Sequence, residues 1–416
     1  MYRQTKHFLI EYTRKLFAFI GGIELKRFLA MILSLLIICT AAACASKKNE
    51  SESQSETTAS GTVKTETTAP ATTKDVEKTT KAAEATTAAQ EAKPQALSSD
   101  AEAALNQTIA DHGFEGVIYV VKDSAPAFQY ANGTLCNGEE INIGTSMPVC
   151  SVSKQFCAAA IMILQEDGLL SIDDTLDKYF PEYTDGKRIK LKYLMSMRSG
   201  IPDFYEEKTP GLLSGDKTDA ENKAALKNWV FSQPLVAEPD SSFAYTNVNF
   251  FLLSQIVEQV SGERYIDFLR EYFFEPLGMT HTGSVVELGS NPEWASGATF
   301  PDLGMNPSYA NGCADLVSNA EDIIKWITAF GSGRVVNNDS FAQMTTSYSD
   351  GMGYGYGYGL FTNIGGGIGH PGSLGVYTAY DYINSDDNTE IFLCSNTLPI
   401  NSINQFMVEI IDDINR

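Results

Sequence analysis

Ser151 and Lys154 stand three residues apart at the mouth of an apolar run, Phe156 to Leu164, and at i and i+3 of a helix two side chains share one face. A hydroxyl then lies beside an amine. Phe156, Cys157, Ala158, Ala159, Ala160, Ile161, Met162 and Ile163 leave that amine almost no polar surface, and desolvation lowers a lysine pKa, here toward neutrality. Such an amine can take a proton from serine, and a serine at a helix N-terminus can turn its own backbone N–H toward a developing oxyanion. Ser-x-x-Lys also arises by chance, and serine is a common helix N-cap. Residues further along must therefore decide between nucleophile and cap.

The elements that would position this pair can be read from periodicity. Gly116 to Lys122 and Ala127 to Ala131 read as strands of a hairpin, and the Ser151 helix is stopped by Gly168. Helices follow over Phe250 to Val260, Tyr265 to Phe274 and Glu321 to Phe330. Strands return over Tyr354 to Phe361, Gly367 to Ser373, Val376 to Ile383 and Glu390 to Cys394, before a closing helix, Ser402 to Ile414. Strands at both ends with helices between them predict an α+β domain, one antiparallel sheet assembled from both termini with an inserted, mainly helical lobe. In Gly353 to Gly359 a period of two puts Tyr354, Tyr356 and Tyr358 on one strand face, as core packing or as the lining of a cleft. No internal repeat is present.

The 416 residues divide unevenly. Lys26 and Arg27 precede an apolar run, Phe28 to Ile38, and a small-residue end, Cys39 to Cys44, which reads as a leader over residues 1–44. Its end resembles a bacterial lipobox, with Ala41 where leucine is usual, and this implies lipidation at Cys44; a plain secretory cut near Ala43 is the other reading. Residues 1–24 fit neither signal nor domain, and a TTG start at Leu25 would leave them untranslated. Residues 45–96 are Thr, Ala, Ser, Glu and Lys without an aromatic residue, a composition that cannot offset the entropy of ordering. As a flexible tether they reach roughly 40 Å. Residues 97–416 hold 17 Lys plus Arg against 42 Asp plus Glu, a net of −25, which excludes nucleic acid and anionic membrane surfaces as partners. Lys187, Arg188, Lys190 and Lys192 alternate with apolar residues and read as the wet face of a strand. Cys136, Cys150, Cys157, Cys313 and Cys394 are odd in number and irregular in spacing, so buried free thiols are expected, with no metal site and no cofactor.

Two later stretches complete the pattern. Tyr245-Thr-Asn247 stands before a helix and His370-Pro-Gly372 on a late strand. Ser151-x-x-Lys154, Tyr245-x-Asn247 and His370-x-Gly372, in this order, resemble the three motifs of the serine beta-lactamase and penicillin-binding protein superfamily, and more narrowly its class C beta-lactamase-related branch. Leu194 to Asp203, Glu275 to Met279 and Asp315 to Asp322 are similar to its framing stretches, so that the likeness covers nearly all of residues 97–400.

The resemblance implies a beta-lactamase/DD-peptidase-like fold with Ser151 as acylated nucleophile, Lys154 as its proton partner and Tyr245 as general base or acid. Asn247 would hold the substrate amide and Lys154, and the backbone N–H groups of Ser151 and Ser373, beside Gly372, would form the oxyanion hole. His370 would be an electrostatic or hydrogen-bonding wall of the cleft. Each has a plainer reading: Tyr245 a buried aromatic, Asn247 a helix cap, His370 a satisfied strand histidine. His112 and His281 belong at the surface. Pro371 stands where the family has Thr or Ser, which weakens recognition of a substrate carboxylate unless the hydroxyl of Ser373 or Tyr377, or the His370 ring, takes over. An α/β-hydrolase is disfavoured, since Gly372-Ser-Leu-Gly375 has the wrong spacing for a nucleophile elbow.

The expectation is thus a membrane-tethered extracytoplasmic serine hydrolase acting through an acyl-enzyme on esters or amides. Its substrates extend to D-amino-acid peptides of the cell wall, peptidoglycan included, and less readily to beta-lactams. The alternative is a penicillin or peptidoglycan sensor on the same fold that does not turn over.

Overall fold

The computed structural model describes residues 96–135, 138–204, 209, 211–287, 306–351 and 353–416. The leader with Cys44, the tether up to residue 95 and Cys136 lie outside the described residues.

The chain runs α1 (Ser99–Asp111), the hairpin β1 (Gly116–Lys122) and β2 (Ala125–Asn132), then a short strand β3 (Met147–Pro148) leading into α2 (Ser153–Glu166). The inserted helices are α3 (Leu191–Met195), α4 (Asp219–Ser232), α5 (Asn247–Ser261) and α6 (Tyr265–Leu269), the last continued by a π turn, Arg270–Phe274, and a helical turn, Glu275–Leu277. β4 (Gly283–Ser284) and β5 (Leu316–Ser318) complete a small sheet with β3, and α7 (Ala320–Gly331) and α8 (Asn338–Thr345) follow. The end of the chain is β6 (Ser349–Gly351), β7 (Tyr354–Tyr356), β8 (Phe361–Ile364), β9 (Gly367–Leu374), β10 (Tyr377–Asn384), β11 (Thr389–Ser395) and α9 (Ile400–Ile414).

Among the described residues eight strands form one antiparallel sheet in the order β2-β1-β11-β10-β9-β8-β7-β6. The N-terminal hairpin is stitched to the C-terminal strands by β1–β11 pairing, Gly116 opposite Ser395 through Lys122 opposite Thr389. The sheet is therefore built from both ends of the domain, as expected. β1 reads Gly-Val-Ile-Tyr-Val-Val because it is covered on both faces, where an alternating pattern would leave polar groups unsolvated. One face is covered by α9, whose buried Ile403, Phe406, Met407, Ile410, Ile411 and Ile414 recur at helical spacing, packed with α1. The other carries α2 and α7. Successive residues of β10 divide between the faces: a Cβ built on Gly331 of α7 would meet Ile383, and one built on Gly365 would meet both Ile411 of α9 and Tyr382. α2 is apolar all round because it lies between the sheet and α5.

Two expectations are corrected. Lys187, Arg188, Lys190 and Lys192 lie on a 3₁₀ turn, Gly186–Arg188, and on the start of α3, not on a strand. The buried Ile189 and Leu191 produced the alternation, and the charges pair locally, Arg188 with Asp185 at 3.0 Å and both Lys190 and Lys192 with Asp173 at 2.9 Å. Tyr354 to Phe361 is two strands, because Gly357 donates its N–H to Leu360 in a tight turn and Gly359 takes a left-handed φ of 77°. Tyr358 accordingly stacks on Tyr348 at 4.5 Å, away from Tyr356. His281 is exposed as expected, whereas His112 is half-buried against Glu409 at 2.6 Å. Cys150, Cys157, Cys313 and Cys394 are free and buried.

The core contact that joins α2 to α7 is the stack of Phe156 on Trp326, with centroids 3.7 Å apart and both rings fully buried. Trp326→Ala is expected to cost about 3–5 kcal/mol of stability, read as a lowered midpoint in urea unfolding.

Candidate active site

The turn that carries Ser151 is held from below. Val149 donates its N–H to Leu316 of β5 at 3.0 Å, and Ser153 Oγ donates to Cys150 O at 2.6 Å while accepting from Leu316 N at 3.1 Å. Between these anchors Cys150 is forced to a left-handed φ of 52°, a conformation that costs a non-glycine residue about 1–3 kcal/mol. Its thiol is buried against the carbonyls of Pro148 and Tyr377, at 3.4 and 3.6 Å. The chain then enters the 3₁₀ turn Cys150–Val152, which brings Ser151 to the mouth of α2.

Three segments converge on Ser151. Lys154 Nζ lies 3.0 Å from Ser151 Oγ, and Tyr245 Oη lies 3.1 Å from it. The same Nζ donates to Asn247 Oδ1 at 2.9 Å and to the Cys313 carbonyl at 2.8 Å, so each ammonium hydrogen has an acceptor. It also sits 4.9 Å from the Tyr245 ring centre. The expectation of a lysine near neutrality is corrected here. Burial pulls the ammonium down, but the Tyr245 oxygen first, then Cys313 and Asp203, outweigh it and hold Lys154 above its usual range. That direction favours the ammonium form of Lys154, and Tyr245 Oη is the other side-chain group within hydrogen-bonding distance of Ser151 Oγ.

Asn247 is no cap. Thr246 caps α5, its hydroxyl accepting from Val248 N, and Asn247 is the first helical residue, turned inward to Lys154. Its orientation is set by Asp203, which the sequence offered only as the end of a framing stretch. Asp203 Oδ1 accepts from Asn247 N at 2.8 Å and Thr246 Oγ1 at 3.1 Å, and Oδ2 accepts from Asn247 Nδ2 at 3.3 Å. The amide nitrogen therefore faces Asp203 and the oxygen faces Lys154. Asn249, fully buried, ties the Leu194 to Asp203 stretch to the same helix through the Leu194 carbonyl at 3.0 Å and Ser199 Oγ at 2.6 Å.

β9 closes the site. A Cβ on Gly372 would lie 2.4 Å from Ser151 N, so the strand passes against the Ser151 backbone only because that residue is glycine. Ser373 follows and is exposed. His370 is 1% exposed, with its ring centre 6.0 Å from that of Tyr245. Nδ1 lies 2.5 Å from Pro371 O, which makes it the protonated nitrogen and leaves Nε2 to accept from Tyr356 O–H at 3.2 Å. Burial and then Lys154 push its pKa down to about 3. Of the readings open for it, an electrostatic or hydrogen-bonding wall or a satisfied strand histidine, the geometry gives a neutral ring with both nitrogens hydrogen-bonded, bracing Tyr356 behind Tyr245. Tyr377 is fully buried and Tyr356 lines the site from beneath. Among the described residues no His, Cys, Asp and Glu cluster could hold a metal.

The sequence model of the beta-lactamase family matches residues 80–415. This chain belongs to the beta-lactamase family. It is a serine hydrolase of that family, and similar proteins include PbpX of Bacillus subtilis (strain 168), a penicillin-binding protein by name, 28% identical over 288 residues that cover 65% of this chain and 69% of that one. The D-aminopeptidase of Brucella anthropi is 28% identical over 276 residues, 62% of this chain but only 51% of its own length, so the chain spans about half of that relative. The fold of the D-amino acid amidase from Ochrobactrum anthropi SV3, solved with L-phenylalanine, superimposes with a TM-score of 0.64 at 22% identity, covering 76% of this chain and 99% of that one.

Within this family site, Tyr245→Phe is expected to lower the rate at which a fluorophosphonate labels Ser151 by about 10²- to 10⁴-fold while the urea midpoint stays near that of the parent protein. His370 is neutral when folded and would take a proton when unfolded below its usual pKa of 6.5, so its share of stability is present above that value and lost as pH falls toward 3. Thermal melts between pH 7 and pH 4 should show a shallower decline for His370→Asn than for the parent protein.

Proposed function

We propose that the protein hydrolyses amides of D-amino acids and short D-amino-acid peptides through an ester on Ser151, outside the cell and tied to the membrane through Cys44. The observation that carries the chemistry is the triangle of Ser151 Oγ, Lys154 Nζ and Tyr245 Oη, with edges of 3.0 and 3.1 Å at the serine. In the first half-reaction Tyr245 acts as phenolate beside the Lys154 ammonium: Ser151 Oγ attacks the carbonyl carbon as its proton passes to Tyr245 Oη. The oxyanion faces the N–H groups of Ser151 and Ser373, where loss of one donor costs about 3 kcal/mol in the barrier. Collapse breaks the C–N bond, and the leaving amine takes the proton from Tyr245. Water then attacks the ester, gives its proton to Tyr245, and Ser151 leaves with it. Lys154, fixed by three acceptors, supplies charge throughout.

The substrate class is supported by the likeness to a D-aminopeptidase and by Pro371, which removes the hydroxyl expected to grip a free carboxylate. Delivery is supported by the leader pattern ending in Ala42-Ala43-Cys44. Purified protein is expected to turn over D-alanine p-nitroanilide with at least about 10-fold higher kcat/KM than nitrocefin, a margin of about 1.4 kcal/mol, and Ser151→Ala should remove both turnover and covalent label. Label that persists without turnover would mean a sensor instead, and nitrocefin as the better substrate would mean a beta-lactamase. In bacteria fed radiolabelled palmitate, the parent protein should take up label and Cys44→Ser should not.

A further inference from the structure

We propose that Asp381 is a positioning residue for the reaction: its carboxylate ties β9 to the nucleophile helix α2 and so sets the gap in which the acyl group is attacked. This rests on Ser151 being the nucleophile.

Asp381 lies on β10, opposite His370 of β9, and is 2% exposed. Its two oxygens accept from Gln155 Nε2 at 2.9 and 2.7 Å, and Oδ1 also accepts the backbone N–H of His370 at 2.8 Å. Gln155 is the residue after Lys154, and His370 opens the part of β9 that runs beside Ser151. One carboxylate thus bonds the neighbour of the catalytic ammonium and the backbone of the strand facing it. Gln155 cannot turn over, since the Trp326 indole, which only donates, meets its Oε1 at 3.1 Å. Trp326 thus donates to Gln155 and Gln155 to Asp381, whose carboxylate receives the His370 N–H from the opposite side.

The strand needs such a tie. β8 pairs with β9 only as far as Phe361 opposite Gly369, so among the described residues no strand lies on the outer side of β9 from His370 to Leu374, and the Ser151 turn packs against this stretch. Pro371 adds no N–H of its own there. A displacement of about 1 Å in a reacting group can cost on the order of 10²-fold in rate.

In Asp381→Asn the new amide –NH2 meets the –NH2 of Gln155, which Trp326 holds in place. Both kcat for D-alanine p-nitroanilide and the rate of fluorophosphonate labelling at Ser151 are expected to fall about 10- to 100-fold, with KM changed less than about three-fold, both corrected for the folded fraction by circular dichroism. The double variant Gln155→Glu/Asp381→Asn reverses the polarity: the amide introduced on β10 keeps an oxygen for His370 N–H and gives its –NH2 to the carboxylate introduced on α2, whose other oxygen takes the indole. It should regain the parent rate to within about three-fold, a residual of about 0.7 kcal/mol or less. A folded Asp381→Asn with parent kcat overturns the proposal, as does a folded double variant that is as slow as the single one. If the single variant does not fold, the double one decides alone. Failure of the parent protein itself to label at Ser151 would instead sink the reading of the nucleophile.

Discussion

A buried ammonium with three acceptors is the constraint on which the structure turns. Lys154 is fully enclosed, and an isolated charge in that position would cost several kcal/mol. Its acceptors come from the 3₁₀ turn just before α2, from the first turn of α5 and from the Cys313 carbonyl ahead of β5, three separate segments of the chain. Loss of any one would leave a buried N–H unmatched, a cost of about 1–3 kcal/mol and more for a charged donor. Packing α2 against α5 and against the β5 segment is therefore what makes the charge tolerable, and the same packing delivers Ser151 to Tyr245.

Around that charge, buried polar side chains hold the segments of the site in place. Asp203 orients Asn247, Ser153 staples the nucleophile's turn, and Gln155 with Asp381 secures the facing strand. The arrangement carries an electrostatic cost of a particular sign. Burial raises Asp381 and Asp315 to about 7, so the stability that they leave intact below the ordinary carboxylate pKa of 3.8 is lost as pH rises through about 7. His370 acts in the opposite direction, losing stability as pH falls. Between about pH 4 and 6.5 the two slopes oppose each other, and the polar supports are retained for geometry and not for stability.

The order of the elements was legible because apolar periodicity survives wherever a face is buried. It failed over Lys187 to Lys192, where the stretch is too short to tell a turn entering a helix from a strand, and over Tyr354 to Phe361, where the glycine tract hid a chain reversal. Ser151, Lys154, Tyr245 and Asn247 were legible as motif residues, and the fold brings them within hydrogen-bonding distance. The charge state of Lys154 was not, since it depends on the oxygens of Tyr245, Cys313 and Asp203, which only tertiary structure brings to it. Gln155 and Asp381 carry no local signal and Asp203 stood only at the end of a framing stretch: each is an ordinary polar residue until its partner arrives from elsewhere in the chain.

The two walls of the reaction gap are made of backbone. On one side Cys150 is held in a left-handed turn by its buried thiol and by Ser153; on the other, Gly372 brings β9 to Ser151 N where a methyl group could not fit. Pro371 is compatible with this because it lies beyond the last residue paired with β8, so its missing N–H removes no bond to that strand. An oxyanion hole lined by main-chain N–H groups is indifferent to the side chains that carry them, and Ser373 is exposed. Chemistry and selectivity are thereby separated: the backbone walls and the Lys154 cluster set how an acyl group is attacked, and the side chains on the rim are left to set which acyl group enters. A substitution at the rim can then exchange one substrate for another without disturbing the ammonium beneath it, whereas one methyl group at Gly372 would reach the nucleophile itself.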